Sequence, residues 1–343
     1  MAAPTSPNQI AVVMTVRDER EFLRKNLLYH RFLGVTHFYI YDDGSEDGSV
    51  SSVADLPYVT ARQSVAVSEV DVGSDLAVAA RKHSTDHVAR QMLNSAHAIE
   101  LARAAGCSWL LGFDADELIC VDRSTAAAGS LAGFLAAQPQ SVDVVTFRPL
   151  EAVQRRARYD DVMTEETLFK VGSAGTTRET YDPFEKRTHE IDAVYGHKAG
   201  KQAVRTTIAS IPYSVHRFRA PGGKKLRNVD KGDVLHYYAP DFESFVHKFR
   251  TMKDHPDQHV DGRTVVIQKR LWRDVVNKSG MTDEELRDYY QRWVMFDDEQ
   301  LKRMRGAKRL FVLSNPALVE VTSAAAAVKK VESEDSARAV SPR

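Results

Sequence analysis

Apolar residues in this chain fall into short unbroken runs separated by stretches of helical periodicity, and the runs end repeatedly in acidic turns. Ile10–Val16 (IAVVMTV) is β-rich and of the length expected for a buried parallel strand. From about Asp18 to Leu33, Leu23, Leu27, Leu28 and Phe32 recur at helical spacing, and Gly34 stands where a C-cap glycine would. His37–Tyr41 (HFYIY) predicts a second buried strand, cut off by Asp42-Asp43-Gly44-Ser45. Residues 53–80 predict one more short strand and a loop. Val88, Met92, Ala96 and Ile99 mark one face of a helix running from about Ser84 to Ala105, and Trp109–Phe113 (WLLGF) predicts a third buried strand that runs into Asp114-Ala115-Asp116-Glu117. Strand, helix, strand and an acidic turn open a doubly wound α/β sheet, and ligands on such sheets bind along the edge where the strands end.

The later pattern is less regular. Ala126–Ala137 predicts a helix and Val142–Phe147 a strand, while residues 148–235 mix turns and charges. After Pro240, Phe242, Phe245, Val246 and Phe249 give a helical stripe suited to core packing. Thr282 with Glu285 forms a capping-box pattern ahead of Leu286 and Trp293, and Asp297 with Gln300 suggests another helix start. The expected organisation is a flexible leader (1–9), one α/β domain (10–250) with a mostly parallel central sheet flanked by helices, a C-terminal helical extension (251–322) and a disordered tail (323–343).

Composition narrows the functional classes. At 43% apolar and 27% charged, the 343-residue chain has ordinary globular content. Lys plus Arg equals Asp plus Glu at 47 each, so no global charge draws it to nucleic acid or an anionic membrane. Its two cysteines, Cys107 and Cys120, make neither a CxxC pair nor a disulfide framework, which suits a reduced compartment. The start of the chain lacks the basic and apolar regions of a signal peptide, and no stretch reaches the ~20 apolar residues of a membrane span. A cytoplasmic protein without a membrane span and without a nucleic-acid partner is the expectation.

The acidic turn after WLLGF is the strongest chemical signal. If the strand continued, Asp114 and Asp116, one residue apart, would point to the same face. Two such carboxylates can hold a hard divalent ion while leaving positions for substrate phosphates. At the end of the second strand, Asp42 and Asp43 can accept hydrogen bonds from a base N–H or a ribose hydroxyl, or form a plain Asp-Gly turn. Arg17, beside them, can support a base or a phosphate, or pair with Asp18 or Glu19. The scattered histidines include neither HExxH nor Cys/His zinc spacing; His83 and His87 read as surface residues, and His216 either lines an acceptor pocket or is a plain strand residue.

Three segments together carry a family likeness: VRDEREFLRKNLLYHRFLGVTHFYIYDDGSEDGS, GFDADELI and DVLHYYAPDFESFVHKF. They resemble the family 2 and family 92 glycosyltransferases, which share the GT-A fold, and GKQAVRT with the later His216 resembles a further stretch of the family 92 group. The likeness covers roughly residues 10–250. It implies that Asp114 and Asp116 hold a metal and a diphosphate, that Asp42 or Asp43 reads the nucleotide base, that His236 returns to the metal as a third ligand, and that Lys248 meets the diphosphate. An imidazole beside carboxylates suits Mn2+, with Mg2+ as the alternative. The implied reaction moves a sugar, with inversion, from a nucleotide-diphosphate sugar donor to a hydroxyl of a glycan or other acceptor. Inversion needs a carboxylate base; Glu151, just past the Val142–Phe147 strand, is the first choice, with Glu179 and Glu185 as rivals. One departure is Arg17-Asp18-Glu19, where an Asn-Glu pair is common. A sugar-nucleotide nucleotidyltransferase would want a glycine-rich loop after the first strand, which TVRDERE lacks. A non-catalytic carbohydrate-binding scaffold would have no need of the Asp114, Asp116 and His236 set.

Overall fold

The computed structural model describes residues 9–122, 130–172, 177–258, 260 and 262–313. Residues 1–8 of the expected leader, 126–129 of the expected helix and the whole expected tail lie outside them. The chain runs β1 (Ile10–Val16), α1 (Leu23–Phe32), β2 (His37–Asp42), β3 (Val59–Gln63), α2 (Ala77–Lys82), α3 (His87–Ala104), β4 (Trp109–Gly112), β5 (Glu117–Cys120), α4 (Leu131–Ala136) and β6 (Val144–Ala152). It continues through α5 (Val162–Glu165), β7 (Leu168–Lys170), β8 (Thr177–Asp182), β9 (Arg187–Asp192), β10 (Lys201–Arg205), β11 (Ile211–Ser214), β12 (Arg217–Arg219) and β13 (Asn228–His236). The last elements are α6 (Phe242–Thr251), α7 (Ile267–Lys278), α8 (Asp283–Trp293), α9 (Asp298–Gly306) and β14 (Leu310–Val312).

The α/β architecture expected from the pattern is present. Strands β3, β2, β1 and β4 pair in parallel, and β10, β6, β7 and β14 extend the sheet through antiparallel pairings. β1 shows why its sequence is almost wholly apolar. Ile10, Val12, Met14 and Val16 pack into the cluster shared with Leu23 and Leu27 of α1, whereas Ala11 and Val13 pack with Leu93 and Ile99 of α3. Alternate side chains of a strand face opposite sides, so a strand covered on both faces reads as a near-continuous apolar run; the exception, Thr15, accepts from the Asn94 amide at 2.9 Å. A third cluster joins α6, α7 and α8 around Trp272, Phe245 and Tyr290. The two expected capping boxes open α8 and α9. β14 then pairs with β7, so the chain after α9 adds a strand to the sheet. Among the described residues, no helix is long and apolar enough to cross a membrane.

Two departures from the expected elements bear on the site. α1 begins at Leu23 rather than near Asp18. Asp18 adopts a left-handed φ of 56°, and the backbone N–H groups of Asp18, Glu19 and Arg20 donate to Ser45, Ser49 and Asp47. Those bonds tie the β1–α1 loop to the β2 loop and leave Glu19 outside any helix. The second departure is β13, whose far half leaves one partner on each side, β5 antiparallel and β6 parallel. Its last residue, His236, therefore stands between Glu117 and Glu151 in register.

Candidate functional site

The turn Asp114-Ala115-Asp116 links β4 to β5 and is fixed from beneath by α1. The Asn26 side-chain amide donates to the carbonyls of Ala115 (2.9 Å) and Glu117 (2.7 Å). One turn on, the Tyr29 hydroxyl donates to the Ile119 carbonyl at 2.9 Å, and the Ile119 N–H donates to His30 Nε2 at 3.1 Å. Asn26, Tyr29 and His30 are completely buried, so these bonds are shielded from competing water. They hold the acidic segment by its backbone and leave its side chains to the cleft.

His30 also predicts an acid response. Its Nδ1 faces the Asn26 carbonyl at 2.9 Å while Nε2 accepts from Ile119, a pattern that only the neutral Nδ1–H tautomer satisfies. Burial pushes its pKa down to about 3, partly offset by the Asn26 carbonyl. A depressed imidazole contributes stability that is whole above the unfolded value of about 6.5 and is lost as pH falls toward the folded value. About one proton of uptake on unfolding, costing on the order of 2–3 kcal/mol by pH ~4.5, is expected from this residue. NMR of the native protein should show the His30 ring neutral at pH ~5; a titration midpoint near the free-imidazole value would refute the assignment.

The acidic side chains do not project as a free pair. Asp114 accepts from Lys201 Nζ at 2.7 Å and Gln91 Nε2 at 3.1 Å, with its side chain 35% exposed. Asp116 is buried and accepts from Lys248 Nζ at 2.6 Å. Burial alone would favour its neutral form, but Lys248 and then His236 outweigh that and hold the carboxyl well below its usual range. Glu117 is wholly buried; it accepts the Asp114 N–H (2.8 Å), His197 Nε2 (2.6 Å) and Lys201 (3.1 Å). Sequence reasoning assigned no role to Glu117, Lys201 or His197. The alternation of acids and apolar residues in DADELI, and the lysine in GKQAVRT, were the signals available.

His236 Nε2 stands 3.6 Å from Asp116 Oδ2, and its buried Nδ1 has no hydrogen-bond partner among the described residues. Gly196 packs so closely that a Cβ there would lie 2.5 Å from His236 Nδ1 and 2.9 Å from Glu151 Oε2. In the cleft region the metal-ligating atoms of Glu117, His197 and His236 converge within 4.8 Å of one another; a second such group, Asp182, Glu185 and His189, lies on β8, β9 and their turn. Of the three residues expected to share an ion, only His236 is in the cleft group: Lys201 and Gln91 hold the Asp114 carboxylate, and Lys248 holds that of Asp116. His197 and His216 lie with ring centroids 4.3 Å apart, tilted by 40°, and both line the cleft.

The cleft beside this turn has a volume of about 930 Å³ and is lined by Arg17, Glu19, Asp114, Asp116, His236 and Lys248, among others. Glu151 is not part of its lining. It is buried against Lys170 (3.0 Å) and accepts the N–H groups of Tyr195 (3.0 Å) and Gly196 (2.5 Å). Glu179 and Glu185 are exposed, Glu179 on β8 and Glu185 in the turn to β9, outside the cleft. Asp42 accepts from the Ser45 N–H (2.8 Å) and Gln63 (3.0 Å). Asp43 is taken up by Arg90 (2.5 and 2.8 Å), His87 (2.6 Å) and Ser64 (2.9 Å). Neither aspartate lines the cleft. Near that edge, what reaches it is Arg17 and the stacked pair His87–His255, with centroids 5.7 Å apart at 27°. Glu19 lies in the lining as well. Burial raises its carboxyl pKa, as do the Asp116 and Asp114 charges, against the opposing pull of Lys248.

Comparison with known proteins bears on this site. Two glycosyltransferase-like proteins of Arabidopsis thaliana are each 25% identical, over 291 and 294 residues. These alignments cover 81% and 80% of this chain and 64% and 56% of the relatives, so the chain spans less than two thirds of their length. Among solved structures, glucosyl-3-phosphoglycerate synthase of Mycobacterium tuberculosis matches with 14% identity and a TM-score of 0.31, over 75% of this chain and 87% of that one. HddC of Yersinia pseudotuberculosis matches with 10% identity and a TM-score of 0.31, over 70% and 96%. Those structural likenesses are too slight to bear on the site. The family model for glycosyltransferase family 92 matches residues 13–275, a span holding the acidic turn, His236 and the cleft around them, and the chain belongs to that family.

Proposed function

We propose that the chain is a divalent-metal-dependent glycosyltransferase of GT-A type that moves a sugar, with inversion, from a nucleotide-diphosphate sugar to an acceptor hydroxyl. The observation that carries this reading is the acidic turn in a family 92 chain, clamped by α1 at a cleft of about 930 Å³ with His236 beside Asp116. The residues suit a divalent ion: Asp116 is held ionised, and the buried His236 Nδ1 lacks a partner among the described residues. Asp116 and His236 would hold the ion, joined by Asp114 or by Glu117 and His197; Mn2+ fits this mixed oxygen and nitrogen set, with Mg2+ second. When bound, the ion would act as a Lewis acid toward the diphosphate leaving group.

The remaining work falls to this chain's own side chains. Lys248 and Lys201 pair with Asp116 and Asp114. The Lys248 ammonium, which lines the cleft, can turn to a phosphate oxygen on leaving its carboxylate. Arg17 and the His87–His255 stack, rather than Asp42 or Asp43, offer contacts to the nucleotide. The base is Glu19 rather than Glu151, because Glu19 lines the cleft. It takes the acceptor hydroxyl proton as the oxygen bonds to the anomeric carbon and the bond to the diphosphate oxygen breaks. Cys107 and Cys120 are buried thiols, in keeping with a reducing, cytoplasmic setting.

Calorimetric titration with UDP and GDP tests the metal. Binding is expected with Mn2+ present and is expected to weaken at least ~100-fold in chelator, the loss of one strong charge contact or more. Equal affinity under both conditions would remove the ion from the reading.

A further inference from the structure

Helix α7 enters the cleft with the wrong charge for a helix start. Its first turn holds no acidic residue and no side-chain cap, yet carries Lys269 and Arg270, both lining the cleft. Carboxylates are favoured at a helix N-terminus and cations are not, because the free N–H groups there already carry partial positive charge. Lys269 and Arg270 find no carboxylate within ion-pair distance among the described residues, and the same is true of Arg217 on β12, which also lines the cleft. Arg217 instead donates to the carbonyls of His216 and Ala199. Lys269 Nζ stands 5.1 Å from the centre of the Tyr238 ring, whose other ammonium neighbour is Lys248 at 4.5 Å. The Tyr238 hydroxyl is buried, belongs to a residue that lines the cleft, and has no hydrogen-bond partner among the described residues. The Lys269 charge acts on His216, while Lys269 itself is repelled by Lys248 and drawn, from beyond ion-pair distance, by the charges of Glu151, Asp114 and Asp116.

The donor does not account for these cations. A sugar nucleotide brings about two negative charges and a divalent ion cancels them, so their complex is near neutral. Lys248 and Lys201 already balance Asp116 and Asp114. Three cations without a carboxylate at ion-pair distance among the described residues, and an unpartnered hydroxyl, are left in the cleft lining.

We propose that Lys269, with Arg217, the Tyr238 hydroxyl and the first turn of α7, forms an anion-binding subsite beside the acidic turn, and that the acceptor carries the phosphate or carboxylate it takes. The assignment rests on the glycosyltransferase reading and names the chemical class of its acceptor. Inorganic phosphate is the probe, titrated by calorimetry into the whole protein saturated with Mn2+ and UDP or GDP. Wild-type protein is expected to bind phosphate under those conditions. Lys269→Gln is expected to weaken that binding roughly 10-fold or more while leaving nucleotide affinity within about twofold, and Lys269→Arg to restore it. Arg217→Gln serves as the second variant, with thermal melts confirming that each protein is folded. Phosphate binding that vanishes once nucleotide is bound would assign these cations to the donor diphosphate and overturn the acceptor claim, as would equal phosphate affinity in Lys269→Gln. Failure of both nucleotides to bind with Mn2+ would instead overturn the underlying reading, and the acceptor claim with it.

Discussion

Asp116→Asn is expected to lower sugar transfer by ~1000-fold or more and to abolish Mn2+-dependent binding of nucleoside diphosphate, while the protein still folds. The amide keeps the size and one acceptor oxygen but removes the charge that Lys248 and His236 hold in place. Asp116 is buried at the cleft wall, so no neighbouring water can replace its negative charge. Loss of the charge also releases Lys248, whose side chain is 24% exposed and can turn toward solvent. For that reason the thermal midpoint should move by only a few degrees, the scale of about 1 kcal/mol in a protein of this size. Turnover measured beside a melt separates the two effects. Wild-type turnover in Asp116→Asn would place the chemistry elsewhere in the cleft.

The elements that build the sheet were legible because their signals are local. IAVVMTV, HFYIY and WLLGF are strands covered on both faces, and that leaves a continuous apolar run in the sequence. The acidic turn could be read from its place after such a run. His236 came from likeness alone, since nothing near it in sequence says that β13 sets it between Glu117 and Glu151. Asn26, Tyr29 and His30 escaped notice for a different reason. Apolar periodicity finds the side of a helix that packs, yet these residues point inward in order to bond the backbone of a segment some 90 positions away. Asp42 and Asp43 seemed free in sequence because Arg90, His87 and Gln63 reach them only in the folded chain. Lys269 lies past the stretch that carried the likeness, and its placement depends on how α7 packs against α6.

The choice of base lies between Glu151, the first choice from sequence, and Glu19, to which sequence reasoning gave no such role. Glu151 sits beside buried Lys170, so Glu151→Gln strips a buried ammonium of its partner and is expected to destabilise the fold by about 3–5 kcal/mol. Because Glu151 does not line the cleft, the fraction that folds should keep the wild-type dependence of turnover on pH. Glu19→Gln should behave in the opposite way. Its carboxyl is raised by burial and by Asp116 and Asp114, so a neutral amide relieves repulsion and the melting midpoint should hold or rise. Turnover should fall ~100- to 10,000-fold, the worth of a positioned general base. Only the ionised carboxylate can accept the hydroxyl proton. Wild-type turnover should therefore climb as pH rises through the raised pKa of Glu19, and that acid limb should vanish in Glu19→Gln. A surviving limb in Glu19→Gln, or its loss in Glu151→Gln, would return the role to the β6 carboxylate.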